Sequence, residues 1–206
     1  MKAANVFIMV LLCAAFAGCA TRPVVPAGEK NAAWDRHRDQ VLALTSWQAS
    51  GRISIRLEHQ AWSATLQWQQ QPREYFLRLI APLGQGTYEI TGNSAGVFLR
   101  TARNEVYKAA DAETLMQGTL GWSVPLKGLA YWIRGVPVPG TRAPLLHLDD
   151  QGRITDLSQS GWRASYSAYN DTGGYILPGR IALQNNRLKV RLVIKHWDIQ
   201  DGAAHE

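Results

Sequence analysis

The sequence predicts a mainly β protein of the α+β type: a strongly curved antiparallel sheet of about eleven strands, with inserted helices over its open side and one helix in front. Three observations lead there. Short segments of alternating apolar and polar residues recur along most of the chain, bounded by Gly, Asn, Asp or Pro. The period becomes helical in one interior stretch, about 111–135. Few helices are then available to cover so long a sheet, which must curl around its own apolar face. With 206 residues, 46% hydrophobic and 18% charged, the chain suits one globular domain rather than a disordered polymer.

The chain opens on "MKAANVFIMVLLCAAFAGCA", with Lys2, an apolar run over residues 6–16, then small residues. This is a secretory signal, 1–18, too short for a mature membrane anchor. "FAGC" resembles the bacterial lipoprotein signal, in which the cysteine is acylated and becomes the first mature residue. That assigns lipidation to Cys19; Phe16 departs mildly from the aliphatic residue usual there. Cys13 lies inside the signal, so no internal disulfide remains after cleavage. Ala20 after the cysteine, where Asp would favour inner-membrane retention, points to the outer membrane, facing the periplasm. Residues 19–31 read as the lipidated cysteine and a Pro/Gly-containing tether. A single domain is expected over 32–206.

"NAAWDRHRDQVLALTSW" reads as a helix with Trp34, Val41, Leu42 and Thr45 near one face. "WQASGRISIRLE" alternates almost perfectly, with Trp47, Ala49, Gly51, Ile53, Ile55 and Leu57 on one side. "AWSATLQWQ", "EYFLRLI", "TYEIT", "GVFLRTA" and "EVYKA" follow as strands. In the helical stretch, Asp111 is a candidate N-cap and Gly135 a stop. Breaks near Gly118 and Gly121 divide it into two short helices, with Pro125 in the first turn of the second. Five strands then resume: "PLLHLDD", "RITDLSQS", "WRASYSAY", "GRIALQ" and "LKVRLVIKHW". The last puts Leu188, Val190, Leu192 and Ile194 on one face.

Net charge is +6, which suits an anionic membrane surface or an acidic partner. No run of Lys or Arg occurs, which argues against nucleic acid. "GNSAG" at 92–96 has the G-x-S-x-G form, but a strand follows Ser94 where a hydrolase elbow needs a helix. The five histidines show no ligand spacing, so no metal site is expected. Neither enzyme activity nor a cofactor is expected. What remains is a large apolar and aromatic inner surface, either a filled core or a cavity for lipid.

The blocks "SWQASGRISI", "APLG", "GWSVPLKGLAYWIRGVPVPG" and "LPGRIALQNNRLKVRLVIKHW" together are similar to the LolB family of outer-membrane lipoproteins. The most specific block holds Pro125, Leu126, Leu129, Trp132, Gly135 and Pro137. The resemblance implies an incomplete antiparallel β-barrel with a lid of helices. It also implies a receptor that accepts lipoproteins from a LolA-like periplasmic carrier and inserts them into the outer membrane, with acyl chains held in the interior. Acylated lipoprotein cargo and outer-membrane phospholipid are the further partners, and a monomer is expected. The alternative is a scaffold lipoprotein with a filled core. On alternation, Ile53, Ile55, Leu57, Leu66, Trp68, Leu192 and Ile194 are assigned to the concave face, and Leu126, Leu129, Trp132 and Ile133 to the lid. One long acyl chain buried at about 0.8 kcal/mol per CH₂ is worth on the order of 10 kcal/mol, so cargo must pass from one greasy site to another.

One position resists the ordinary rules. In "LIAPLGQGTYEI" the turn places Pro82 at i+1 and Gly84 at i+3, which leaves Leu83 at the tip, where Asn, Asp or Ser is usual. The resemblance implies a membrane-insertion role for an apolar residue here.

Overall fold

The computed structural model describes residues 26–141 and 144–199. The signal, Cys19 and most of the expected tether lie outside the described residues. Helix α1 spans Ala27–Ala43, and so begins inside the stretch expected to be tether. Its buried positions are Trp34, His37 and Val41, continued by Leu44 just beyond its end. The expected Thr45 is exposed, because the helix has already stopped at Ala43.

Eleven strands follow: β1 Trp47–Arg56, β2 Ala61–Gln70, β3 Tyr75–Ile80, β4 Thr87–Asn93, β5 Gly96–Arg100, β6 Val106–Ala109, β7 Leu145–Leu148, β8 Ile154–Gln159, β9 Trp162–Thr172, β10 Tyr175–Gln184 and β11 Lys189–Ile199. Helices α2, Ala112–Leu120, and α3, Leu126–Trp132, lie between β6 and β7. All strands belong to one antiparallel sheet ordered β6-β5-β4-β3-β2-β1-β11-β10-β9-β8-β7. The chain therefore builds outward from β1 to β6 and reappears at the opposite edge as β7. The connection must cross the sheet, and it does so on the apolar side, carrying α2 and α3 with it. β6 and β7 do not pair, so the barrel stays open beneath those helices.

Alternation is followed closely on β1, where Trp47, Ala49, Gly51, Ile53 and Ile55 are buried and Arg52, Ser54 and Arg56 are exposed. It breaks once on β11. The register against β1 slips between Ser50 and Gly51, leaving Lys195 as the extra residue of a bulge. The slip turns Trp197 inward three residues after Ile194 rather than two. Gly51 sits at this point. A Cβ there would come within 2.0 Å of the Val193 carbonyl oxygen, so only glycine permits the close approach.

Caps set the inserted helices. The Asp111 carboxylate accepts from the Thr114 amide at 2.8 Å. Helix α2 continues through Gly118 and ends at Gly121, so the chain breaks at only one of the two expected glycines. Pro125 stands at the N-cap of α3, one position before its first turn. The unpaired Leu126 amide at the start of α3 donates to Glu113 Oε1 at 3.0 Å, tying the two helix starts together.

His37 supplies a pH test of this packing. Its ring lies between Trp34 and Tyr169, and its buried Nε2 has no hydrogen-bond partner. Burial lowers its pKa below 6.5, Arg153 lowers it further and Asp149 opposes. A histidine held neutral in the fold contributes stability that is fully present above the unfolded pKa and lost as pH falls through the folded one. The urea midpoint is therefore expected to decline below about pH 6.5. His37→Gln is expected to remove that part of the slope.

Candidate functional site

The concave face, α2 and α3 enclose one continuous apolar interior. Of the residues assigned to it from alternation, Ile53, Ile55, Leu66, Trp68, Leu192 and Ile194 are buried there; Leu57 is half-buried, one residue past β1. Leu126, Leu129, Trp132 and Ile133 are buried beneath the inserted helices. Six of these line a shared apolar cavity: Ile53, Leu66, Trp68, Leu126, Leu129 and Leu192. The wall is completed by Leu77, Leu79, Ile90, Met116, Trp122 and Val124, none of them assigned from sequence. Strands β3 and β4 carried the same alternation, so Leu77, Leu79 and Ile90 were within reach of that signal. Trp122 and Val124 lie between helices, where no period applies.

The cavity holds about 20 Å³, room for about one water molecule. Beneath the inserted helices the interior is nearly full. The helices face it with Met116, Leu126 and Leu129, and the segment between them with Trp122 and Val124. Lifting these from the cavity exchanges only apolar contacts.

The two ends of the interior differ. At the end of the β2–β3 and β9–β10 turns, Trp47 packs against Trp68 at 5.2 Å and Trp197 at 5.4 Å. Arg134, 6% exposed, lies over Trp47 and Tyr131. No carboxylate pairs with it among the described residues. Its guanidinium instead donates to the carbonyls of Val41 and Leu44 at the C-terminus of α1 and of Ala130 in α3. Unpaired carbonyls and the negative end of the helix dipole thus receive the charge. Burial pushes its pKa down to about 10, which leaves it charged at neutral pH. This end is plugged, and it fixes the end of α3 to α1.

The opposite end carries the β1–β2, β3–β4, β8–β9 and β10–β11 turns; beside the β8–β9 turn Trp132 Nε1 donates to the buried Gln159 at 2.9 Å, and beside the β1–β2 and β3–β4 turns aromatic rings close it. Half-buried Trp62 lies 5.5 Å from Trp122 and 6.4 Å from Tyr88. The β3–β4 corner projects here. The Gln85 amide donates to the Pro82 carbonyl at 3.2 Å, so Pro82 is position i of the turn rather than i+1. Leu83, at φ 54° and ψ 33°, and Gly84, at φ 71°, are its central residues. Positive φ at both is the type I′ pattern, and it explains the correction: proline's fixed negative φ cannot occupy a central position. Leu83 is 96% exposed and left-handed, which costs a residue with a Cβ about 1–2 kcal/mol.

Ser94 sits with Ala95 in a tight hairpin turn between β4 and β5, the strand–turn–strand setting that excludes a hydrolase elbow. Among the described residues no group of His, Cys, Asp and Glu is placed to hold a metal.

Residues 45–197 match the family described as Outer membrane lipoprotein LolB. A protein named Outer-membrane lipoprotein LolB from Pseudomonas fluorescens is 40% identical over 192 residues, 93% of each chain. One of the same name from Nitrosococcus oceani is 36% identical over 200 residues, 97% of this chain and all of that one. Among solved structures, a LolA superfamily protein from Nitrosomonas europaea shares the fold with a TM-score of 0.51 at 11% identity, over 86% of this chain and 95% of that one. A DUF1329 family protein from Desulfovibrio piger does so with a TM-score of 0.52 at 7% identity, over 88% and 96%.

Proposed function

The chain belongs to the outer-membrane lipoprotein LolB family, and from that premise we propose how its parts divide the work of a receptor in lipoprotein localisation. It is a trafficking receptor of the outer membrane, not an enzyme, and it deals with a LolA-like carrier and lipoprotein cargo. In our reading Cys19 carries the anchor, the interior takes the acyl chains, α2 and α3 are the lid, and Leu83 enters the outer-membrane phospholipid. The protein works as a monomer.

The observation that carries this reading is the nearly full apolar interior under helices that face it with apolar side chains. The side chains that face the cavity can be displaced by an acyl chain without leaving a buried polar group unpaired, because their contacts there are apolar. Each CH₂ that enters regains about 0.8 kcal/mol, which offsets the lid contacts given up. Entry is at the Leu83 corner, where Trp62 and Trp122 close the interior through ring contacts, while Arg134 ties the other end down to α1. Passage from carrier to receptor to bilayer is then a downhill exchange between apolar sites. The test is transfer in vitro: the protein is mixed with a carrier–lipoprotein complex and the cargo is followed by co-purification. Transfer is expected without any added nucleotide. A scaffold with a permanently filled core would leave all cargo on the carrier.

A further inference from the structure

The outward face of the central strands carries Arg52 and Arg56 on β1, Lys189, Arg191 and Lys195 on β11, Arg180 on β10 and Arg163 on β9, all exposed. Among the described residues none of these seven forms an ion pair. The outward positions of β1, β2 and β10 carry no acid; Asp198 on β11 pairs with Gln48, toward the plugged end. Toward the Leu83 end this face is indented by a cleft of about 600 Å³. Arg52 and Arg191 stand in it with the hydroxyls of Ser54, Ser63 and Thr65. Its apolar surface is Ile80 and Val193, 38% and 40% exposed, with Pro82. In register, Val193 lies opposite Arg52 on one side and Arg180 on the other.

We infer that this cleft is a phosphate-recognising site for anionic phospholipid headgroups, with Arg52 and Arg191 as its cations, seating the sheet on the membrane beside the Leu83 loop. The inference rests on the reading of Leu83 as a membrane probe. Cations that no carboxylate neutralises, flanked by short hydroxyl side chains, match phosphate oxygens. The half-exposed aliphatic residues between them suit the boundary between headgroups and acyl chains, where arginine stems lie along apolar surface. An acidic protein surface would satisfy the arginines. It would not account for the continuity of the cleft with Pro82 and, one residue on, a fully exposed leucine.

The test uses the mature lipidated chain reconstituted in vesicles. A fluorophore on Gln67→Cys, an exposed outward position of β2, reports approach to lipids that carry a quencher on the headgroup. Adding phosphatidylglycerol to phosphatidylcholine vesicles is expected to raise quenching, and salt to reverse it. Each basic residue at an anionic leaflet is worth roughly a fivefold change in association, so R52Q/R191Q is expected to lose roughly 25-fold. R52K/R191K, which keeps both charges, is expected to retain most of the response. An unchanged response in R52Q/R191Q would overturn the inference. So would shielding of Gln67→Cys that needs the LolA-like carrier and ignores phosphatidylglycerol, which would assign the face to the carrier. Leu83→Glu separates the two readings: normal cargo delivery by that variant would sink the loop reading, while a retained phosphatidylglycerol response would support the cleft.

Discussion

Leu83→Glu is expected to accept cargo from the carrier as the unmodified protein does and to deliver it to a bilayer at least about tenfold more slowly. Placing a leucine side chain in hydrocarbon is worth about 1.5–3 kcal/mol, and an ionised carboxylate costs more than it returns. At 1.4 kcal/mol per tenfold, losing the leucine term alone meets that factor. Acceptance is unaffected because Leu83 does not line the interior. Stability is unaffected because 96% of the residue faces solvent. The backbone sharpens the prediction. Leu83→Asn relieves a strained left-handed position, since asparagine tolerates it, and is expected to be at least as stable as the parent while delivering poorly. A variant that is more stable and less active would show that the strain at this position serves delivery. Acceptance and delivery are read separately, by transfer from the carrier to the receptor and then from the loaded receptor to vesicles. Loss of acceptance with normal delivery of cargo already bound would contradict the assignment.

Arg134→Gln is expected to lower stability by about 3 kcal/mol or more, and to do so locally. The guanidinium serves three backbone carbonyls from two helices, and glutamine cannot span them. Hydrogen bonds from a charged donor are worth about 1.5–3 kcal/mol each, and carbonyls left buried without partners add their desolvation cost. The ring contacts with Trp47 and Tyr131 go as well. Amide exchange is expected to quicken in α1 and α3 while β1, β2 and β11 stay protected. Arg134→Lys keeps the charge but not the fork and is expected to recover part of the loss. Uniform loss of protection across the sheet would mean that Arg134 supports the fold at large rather than the fixed end of the lid.

The sheet was legible because a strand with one wet face writes its own pattern. The positions assigned to the concave face on β1, β2 and β11 are buried as their alternation demands. The helical stretch was legible from its caps, with Asp111 and Gly135 where the chain turns. The bulge was not, because it depends on which residues of β11 face Ser50 and Gly51. His37 was passed over because a lone histidine carries no period of its own. Arg134 was passed over because a basic residue is ordinarily solvated; only the meeting of two helix ends gives it a buried place.

By itself, then, the sequence determined the number of strands and their succession along the chain, the inward face of β1, β2 and β11, and the stretch that must lie across them. These follow from local period, capping and turn chemistry, which act over a few residues. Tertiary structure alone decided that the interior is nearly full, that one end is plugged by Arg134 and three tryptophans, and that unpaired cations gather around a cleft beside Leu83. Each of these joins residues far apart in the chain, and a pairing of that kind leaves no period to read.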